Sequence, residues 1–266
     1  MTKVHIFHTG KVHVDRAIPH RENNPLAVTG LFRGEKKKVT LPVSCYLIEH
    51  PKGNILIDTG WDSRYTTEKP NFFLNSISKP LIKPGESVDF KLKKLKIDPK
   101  DIDYVFLSHM DFDHTSGLRL VKDAIHIMAA REEIADSKKY FYRYVKDTWK
   151  GIPIEPFDYR QTGIGPVGKS YDVFGDGSVV LINTPGHTHG LFSVKITGED
   201  GRYVILAGDT AYTQKSLREG VIPGFTVDTG LAKKSLDWLR DCAKDPNCLL
   251  IAANHDPSIP EQVIEV

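Results

Sequence analysis

Short apolar runs separated by polar turns recur along the whole chain and predict strands. Residues 45–49 and 54–58 are two such runs joined by the turn residues 50–53, a pattern typical of a hairpin. Tyr104–Leu107 is apolar on both faces, which favours a strand in a sheet covered by helices. Further strands are predicted at residues 4–9, 12–14, 125–129, 179–183, 192–196, 203–207 and 249–253.

Helical spacing is clearest in residues 232–244, where Leu236 and Leu239 belong to an apolar series that recurs every three to four positions. Residues 87–95 and 131–144 also predict helices. The predicted helices therefore alternate with groups of predicted strands.

Two segments show neither pattern. Residues 19–39 are polar and contain proline and glycine, and they predict a loop. Residues 61–84 predict a long excursion without a regular element, of the kind that often covers a functional site. Strands in pairs, then helices, then strands again predict a layered α/β sandwich, formed by one domain over residues 1–266.

Composition excludes several classes of protein. The chain has 266 residues, of which 40% are hydrophobic and 26% charged, and its net charge of +2 argues against a broad nucleic-acid-binding face. No run of about 18 apolar residues is present, so we expect no membrane span, and the first residues show no signal-peptide pattern. Three cysteines cannot form a disulfide framework, which predicts reduced thiols and a cytoplasmic protein. The oligomeric state has no signal in the sequence.

Histidines and aspartates cluster directly after the predicted strands. Four metal-capable side chains lie within one six-residue stretch after Tyr104–Leu107, namely His109, Asp111, Asp113 and His114. On a tight loop they can face two neighbouring metal ions. Three later strands are each followed by one more such side chain, namely His187, Asp209 and His255. A single His or Asp near a turn is usually solvated or caps the turn. The whole set at strand ends, where α/β folds collect ligands, predicts a metal centre.

These segments resemble the metallo-β-lactamase superfamily, whose pattern is HxHxDH followed by single His, Asp and His ligands at later strand ends. Residues 41–49 leading to residues 57–60 resemble the opening of N-acyl-homoserine lactonases. Residues 208–213, with a tyrosine three positions after the aspartate, and residues 254–256 also resemble that family. The resemblance covers nearly the whole chain and implies a four-layer αββα sandwich with its metal site at the strand ends.

The resemblance also implies two divalent metal ions and assigns positions to their ligands. Zinc is the metal that the family implies. Site one would consist of His109, Asp111 and His187, site two of Asp113, His114 and His255, with Asp209 as the bridge.

The chain departs from the family pattern at Asp111, where the family has its second histidine. A carboxylate is a harder, anionic donor and shifts the preference of site one toward manganese or iron. The flavodiiron branch of the superfamily carries a glutamate at this position, which favours ligation. The alternative is that Asp111 does not reach the ion, which leaves a weaker site one.

The implied activity is lactone hydrolysis by a metal-bridged hydroxide, with a small lactone such as an N-acyl-homoserine lactone as substrate, hence quorum quenching. Tyr212 would donate a hydrogen bond to the developing oxyanion, and Asp113 would carry a proton to the leaving alkoxide.

Asp58 would either accept a hydrogen bond from a ligand histidine or cap its own turn. His189 would line the pocket or support the ligands, and Cys45 would be a small buried residue. Residues 61–84 and 140–165 would shape the acyl pocket.

Two other functions fit the same residues. A phosphodiester or phosphotriester hydrolase would use the same scaffold, but no basic residue lies inside the metal-bearing loops, which favours an uncharged substrate. A non-catalytic metal-binding module would keep the ligands without turnover, and an intact Asp113 and Tyr212 argue against it.

Overall fold

The structure, a computed structural model, describes residues 1–30, 33–140 and 143–266. Within these ranges the chain forms two sheets flanked by helices. The strands are β1 Lys3–Asp15, β2 Lys38–His50, β3 Gly53–Ile57, β4 Lys79–Leu81, β5 Tyr104–Leu107, β6 His126–Ala130, β7 Glu155–Phe157, β8 Arg160–Gln161, β9 Lys169–Asp172, β10 Val179–Asn183, β11 Phe192–Thr197, β12 Tyr203–Leu206, β13 Cys248–Ala252 and β14 Gln262–Glu265. The α-helices are α1 Phe72–Ile77, α2 Val88–Lys94, α3 Phe112–Thr115, α4 Arg131–Lys139, α5 Gln214–Glu219 and α6 Thr229–Cys242. Within the described ranges, none of these helices has the length and apolar composition to cross a bilayer.

The order of the strands brings several strand ends to one edge of the molecule. The first sheet has the order β14-β1-β2-β3-β5-β6-β7, with β4 pairing on β1, and β3, β5 and β6 are parallel. The second sheet has the order β13-β12-β11-β10-β9-β8. Strands β10 and β12 are both antiparallel to β11, and β13 is parallel to β12, so β10, β12 and β13 all point the same way.

Alternating side chains of the strands build the layers. In β3, Ile55 and Ile57 pack in the core between the two sheets, whereas Leu56 points to the opposite face and contacts a cluster that includes Leu92 of α2. On the outer face of the second sheet, Leu236 of α6 packs in a separate buried cluster. The layers are therefore helix, sheet, sheet and helix, and the predicted αββα sandwich is confirmed.

Several predicted elements are observed with small changes. The strands predicted at Tyr104–Leu107 and Val179–Asn183 have the same bounds in the structure. The two strands predicted at residues 4–9 and 12–14 form the single strand β1, whose pairing with β2 shifts between His8 and Lys11. Such a bulge bends the strand and interrupts its apolar alternation, which explains the split prediction.

Other predictions are wrong. The excursion at residues 61–84 contains α1 and β4, and Pro80 within β4 hides the strand because proline cannot complete a ladder. The helix predicted over residues 131–144 ends at Lys139, and residues 141 and 142 lie outside the described residues, as do 31 and 32 of the predicted loop. The strands β7, β8, β9 and β14 were not predicted because they are short and polar.

The turn after β3 is held tightly against the segment that follows β5. Gly60 has a φ of +61°, which favours glycine, and a Cβ at this position would lie 1.7 Å from Thr9 Oγ1. The carbonyl of Gly60 accepts a hydrogen bond from the amide of Gly117 at 2.8 Å, and Thr59 N donates to His114 O at 2.9 Å. The turn therefore fixes the backbone that carries His114.

We expect Gly60→Ala to lower the free energy of unfolding by about 2–5 kcal/mol, because it combines a left-handed backbone with a close contact in a packed region. Gly85→Ala is the matched control, since Gly85 has a φ of +87° but no atom within 4 Å of its Cβ position. Its cost should stay near 1–2 kcal/mol, the backbone penalty alone. Denaturant unfolding followed by circular dichroism measures both. Equal losses in the two variants would contradict the tight contact.

Candidate metal centre

The seven predicted ligand residues meet at the edge where the strand ends converge. The segment after β5 forms a loop up to Asp111 and then the short helix α3, rather than a loop throughout. His187, Asp209 and His255 come from the segments that follow β10, β12 and β13. Donor atoms within 4.8 Å of one another form three groups: His109, Asp111 and His187; His109, His114 and Asp209; Asp113, His114 and His255.

Asp209 lies between two pairs of histidines. Its Oδ2 is 3.7 Å from His109 Nε2 and 3.6 Å from His187 Nε2, and its Oδ1 is 3.3 Å from both His114 Nε2 and His255 Nε2. Burial alone would raise the pKa of Asp209, but the neighbouring histidines outweigh it and hold the pKa well below its usual range. An ionised carboxylate with one oxygen toward each pair has the geometry of a bridging group.

The hydrogen bonds of two histidines leave their Nε2 lone pairs free. His114 Nδ1–H donates to Asp58 Oδ2 at 2.8 Å. Ser108 Oγ donates to the same carboxylate oxygen at 2.7 Å, so it accepts from His109 Nδ1–H at 3.0 Å. When these two imidazoles are neutral, each Nδ1 carries the proton and each Nε2 presents a lone pair to the centre. Asp58 therefore accepts a hydrogen bond from a candidate ligand histidine, and it also accepts from the Ser108 amide at 2.7 Å.

The donor set fits a metal ion. His255 Nδ1–H donates to the carbonyl of Pro42 at 2.8 Å, which frees its Nε2 as well. In the described part of the chain, His109 Nε2, His114 Nε2 and Asp209 Oδ1 are buried polar atoms without a hydrogen-bond partner. Such orphaned atoms are rare in proteins unless an ion or water completes them. Imidazole and carboxylate donors together suit zinc, manganese or iron.

Asp111 is held by an arginine that the sequence analysis did not identify. Arg143 Nε donates to Asp111 Oδ1 at 2.6 Å, and Arg143 Nη2 donates to Asp111 Oδ2 at 2.5 Å, which is a bidentate pair. Arg143 Nη1 donates to the carbonyl of His187 at 2.8 Å, and Arg143 Nη2 lies 2.8 Å from His187 Nε2, which is also 3.0 Å from Asp111 Oδ2. Burial and the Arg143 charge lower the pKa of His187 to about 4, so this imidazole is neutral.

Arg143 corrects one step of the sequence argument. No basic residue lies within the metal-bearing loops, but the fold brings this arginine against Asp111 from 32 positions along the chain. The signal that could have found it is Asp111 itself, because an extra buried anion where the family has a neutral imidazole requires a cation nearby.

A cavity of about 240 Å³ opens beside the candidate ligands. Asp111, Asp113, Arg143 and Tyr212 lie at its polar end. Its apolar lining consists of Val12, Val14, Ile18, Leu74, Ile77, Phe112 and Phe225. Both segments expected to shape it contribute, residues 61–84 through α1 and its following turn and residues 140–165 through Arg143, whereas the contributions of β1 and Phe225 were not predicted.

Tyr212 lies at the boundary between this cavity and the centre. Its ring stacks on His255 with the centroids 4.7 Å apart. Burial raises the pKa of Tyr212 well above its ordinary value, and the charges of Asp209 and Asp113 raise it further. The phenol therefore keeps its proton at neutral pH and remains a hydrogen-bond donor.

Other residues lie apart from the centre. His189 pairs with Asp136 at 2.8 Å, and it belongs neither to the metal-capable groups nor to the cavity lining, so the role predicted for it is wrong. Cys45 is fully buried, as predicted. A larger cavity of about 720 Å³ lies between α5, α6 and β13, and none of the candidate ligands lines it.

Comparison with known proteins gives a consistent picture. A family model described as the metallo-beta-lactamase superfamily matches residues 39–255. The N-acyl homoserine lactonase AttM of Azorhizobium caulinodans is 29% identical over 233 residues, which cover 85% of this chain and 86% of the relative. An N-acyl homoserine lactonase of Bacillus cereus is 29% identical over 208 residues, 76% of this chain and 77% of the relative.

A solved structure supports the same relationship. It is an N-acyl homoserine lactone hydrolase with the product N-hexanoyl-L-homoserine bound at its catalytic metal centre. The two structures superpose with a TM-score of 0.77 at 25% identity, over 96% of this chain and 94% of the other.

We expect Asp58→Asn to weaken metal binding by about 10- to 100-fold, because the amide no longer accepts the His114 Nδ1 proton with a full negative charge. Asp136→Asn is the matched control, since it removes the acceptor of His189, a histidine outside the metal-capable groups. Competition with a chromophoric chelator measures both affinities. A similar loss in the two variants would show that Asp58 has no specific part in the centre.

Proposed function

Since the chain belongs to the metallo-β-lactamase superfamily, we propose that it is a metal-dependent hydrolase that opens the ring of N-acyl-homoserine lactones or similar small lactones. The main support for this proposal is the group of His and Asp donors around Asp209. This group lies directly beside an apolar cavity that is also lined by Tyr212. Relatives that match 85% of the chain are named as N-acyl homoserine lactonases.

We assign the metal ligands by their grouping. His109, Asp111 and His187 would hold one ion and Asp113, His114 and His255 the other, with Asp209 between them. When bound, two such ions supply Lewis acidity and a hydroxide nucleophile at neutral pH. Zinc is the family expectation, and the carboxylate of Asp111 extends the range to manganese and iron.

The remaining roles fall to residues at the cavity boundary. Tyr212, protonated at neutral pH, would donate its hydrogen bond to the oxygen that becomes negative when the lactone carbonyl is attacked. Asp113 has one oxygen 3.7 Å from His255 Nε2, and its carboxylate would accept the proton of the attacking water and pass it to the alkoxide oxygen formed when the ring C–O bond breaks. The apolar wall formed by β1, α1 and Phe225 would hold the acyl chain.

The electrostatics of the cavity favour an uncharged substrate. Arg143 is the basic residue in the cavity lining, and both oxygens of Asp111 neutralise its guanidinium. A phosphodiester hydrolase would need an unpaired cation to attract its anionic substrate. A lactone and a phosphotriester are both uncharged, so the charge of the cavity suits either of them.

The domain organisation and the cellular location of the protein are also part of the proposal. We propose one domain over residues 1–266 and a cytoplasmic location, supported by three unpaired cysteines. An enzyme that opens N-acyl-homoserine lactones would act in quorum quenching.

The metal-loaded protein should open N-acyl-homoserine lactones and release one proton per ring, which a pH-stat records directly. His114→Ala should abolish turnover, because it removes a donor shared by two of the metal-capable groups. Tyr212→Phe should lower kcat by about 100- to 1,000-fold, the effect of losing one oxyanion donor.

His126→Ala serves as the control, since His126 is partly exposed, pairs with Glu155 and lies outside the metal-capable groups. Its rate should match the wild type. A panel of short and long acyl chains is run beside phosphodiester and phosphotriester substrates. Proton release indistinguishable from buffer on every lactone would reject the proposal, and turnover of a phosphoester alone would replace it with the second function.

A further inference from the structure

The two halves of the proposed centre are not equivalent. In the half that contains Asp113 and His255, the carboxylate has no lysine or arginine partner among the described residues, and His255 Nε2 faces only carboxylates and an asparagine amide. In the half that contains Asp111 and His187, a guanidinium is already present. The half with Asp113 and His255 therefore leaves its donor atoms available to a cation, whereas the half with Asp111 and His187 already contains the guanidinium of Arg143.

Arg143 contacts the atoms that a metal ion would need. Its Nη2 lies 2.5 Å from Asp111 Oδ2 and 2.8 Å from His187 Nε2. These two atoms are themselves 3.0 Å apart, and Asp111 Oδ2 is 3.5 Å from His109 Nε2. The guanidinium therefore contacts both the anionic donor and an imidazole nitrogen of the first group.

The histidine in this half also differs from the others. His109, His114 and His255 each have a hydrogen-bond partner at Nδ1, which directs Nε2 to the centre. His187 Nδ1 is buried without a partner in the described part of the chain, and its Nε2 contacts both Arg143 Nη2 and Asp111 Oδ2. Arg143 itself is almost fully buried, with 3% of its side chain exposed, so it is not a solvated residue that happens to touch the site.

We propose that Arg143 competes with a metal ion for site one. The inference rests on the proposed metal centre and deepens it. Asp111 cannot give the same lone pairs to the guanidinium and to an ion, and the guanidinium also contacts His187 Nε2. A cation of charge +2 a few ångströms from a buried guanidinium is repelled by it. Site two therefore fills first and more tightly, and site one fills only when Arg143 releases Asp111.

This proposal opposes the simpler role of Arg143 as a support for Asp111. A supporting residue orients a ligand, and its loss weakens metal binding. A competitor blocks the ligand, and its loss strengthens binding. The sign of the change separates the two.

The test is a titration of metal-free protein with Mn²⁺ and, separately, Zn²⁺, followed by calorimetry and chelator competition. We expect the wild type to bind its second ion at least tenfold more weakly than its first. Arg143→Gln should raise the affinity for the second ion by about tenfold or more and leave the first within twofold. Arg131→Gln is the matched control, because Arg131 makes the same bidentate pair with Asp158 outside the metal-capable groups, with 59% of its side chain exposed.

A second measurement needs no variant. At one equivalent of Mn²⁺, electron paramagnetic resonance of the wild type should show isolated ions rather than spin-coupled pairs. Coupled pairs at this ratio would overturn the proposal. So would a weaker or unchanged second ion in Arg143→Gln, with circular dichroism used to establish that the variant is folded.

The outcomes remain distinguishable from those of the proposed function. Absence of any bound ion in all proteins would overturn the metal centre and this proposal together. Ordered binding that is relaxed in Arg143→Gln supports the proposal even if no lactone is hydrolysed.

Discussion

The buried carboxylate of Asp209 is the interaction on which the arrangement of the site depends. Its two oxygens face four imidazole nitrogens at 3.3–3.7 Å. Those histidines come from the segments after β5, β10 and β13, so the carboxylate relates the strand ends of both sheets to one another. A buried carboxylate is costly unless polar partners surround it, which is why these segments must converge. The same convergence leaves lone pairs directed at two positions on opposite sides of Asp209.

The excess of negative charge at the centre favours the binding of cations. Three carboxylates, Asp111, Asp113 and Asp209, meet there with histidines whose Nε2 atoms present lone pairs. Among the described residues that touch these carboxylates, Arg143 is the permanent cation, and it pairs with Asp111 alone. The excess negative charge lies around Asp113 and Asp209, in a buried region where an unpaired charge is expensive. Divalent ions are the natural counter-charge for such a donor set.

Much of the fold and most of the site can be predicted from the sequence, for reasons that differ by residue. Strands such as Tyr104–Leu107 are predictable because a strand buried on both faces must be apolar throughout. The candidate ligands are predictable because chemistry-bearing residues follow such strands directly. Strands such as β8, with two exposed residues, carry no local signal and form only because a neighbour pairs with them. Arg143 and the lining from β1 reach the site through tertiary structure, which no local pattern encodes.

The position of Arg143 links metal loading to the properties of the substrate cavity. While Asp111 neutralises its guanidinium, the cavity presents an apolar wall and little net charge. The guanidinium also lies 4.5 Å from the centre of the Phe225 ring, which lines the same cavity, and this cation–π contact does not involve Asp111. An arginine released from Asp111 would keep that contact and present its donors to the cavity. Lactone opening converts an uncharged ester into a carboxylate, so a released guanidinium would stabilise the product more than the substrate. Under the proposal that Arg143 competes with the ion of site one, the same residue would also determine how tightly the opened product is held.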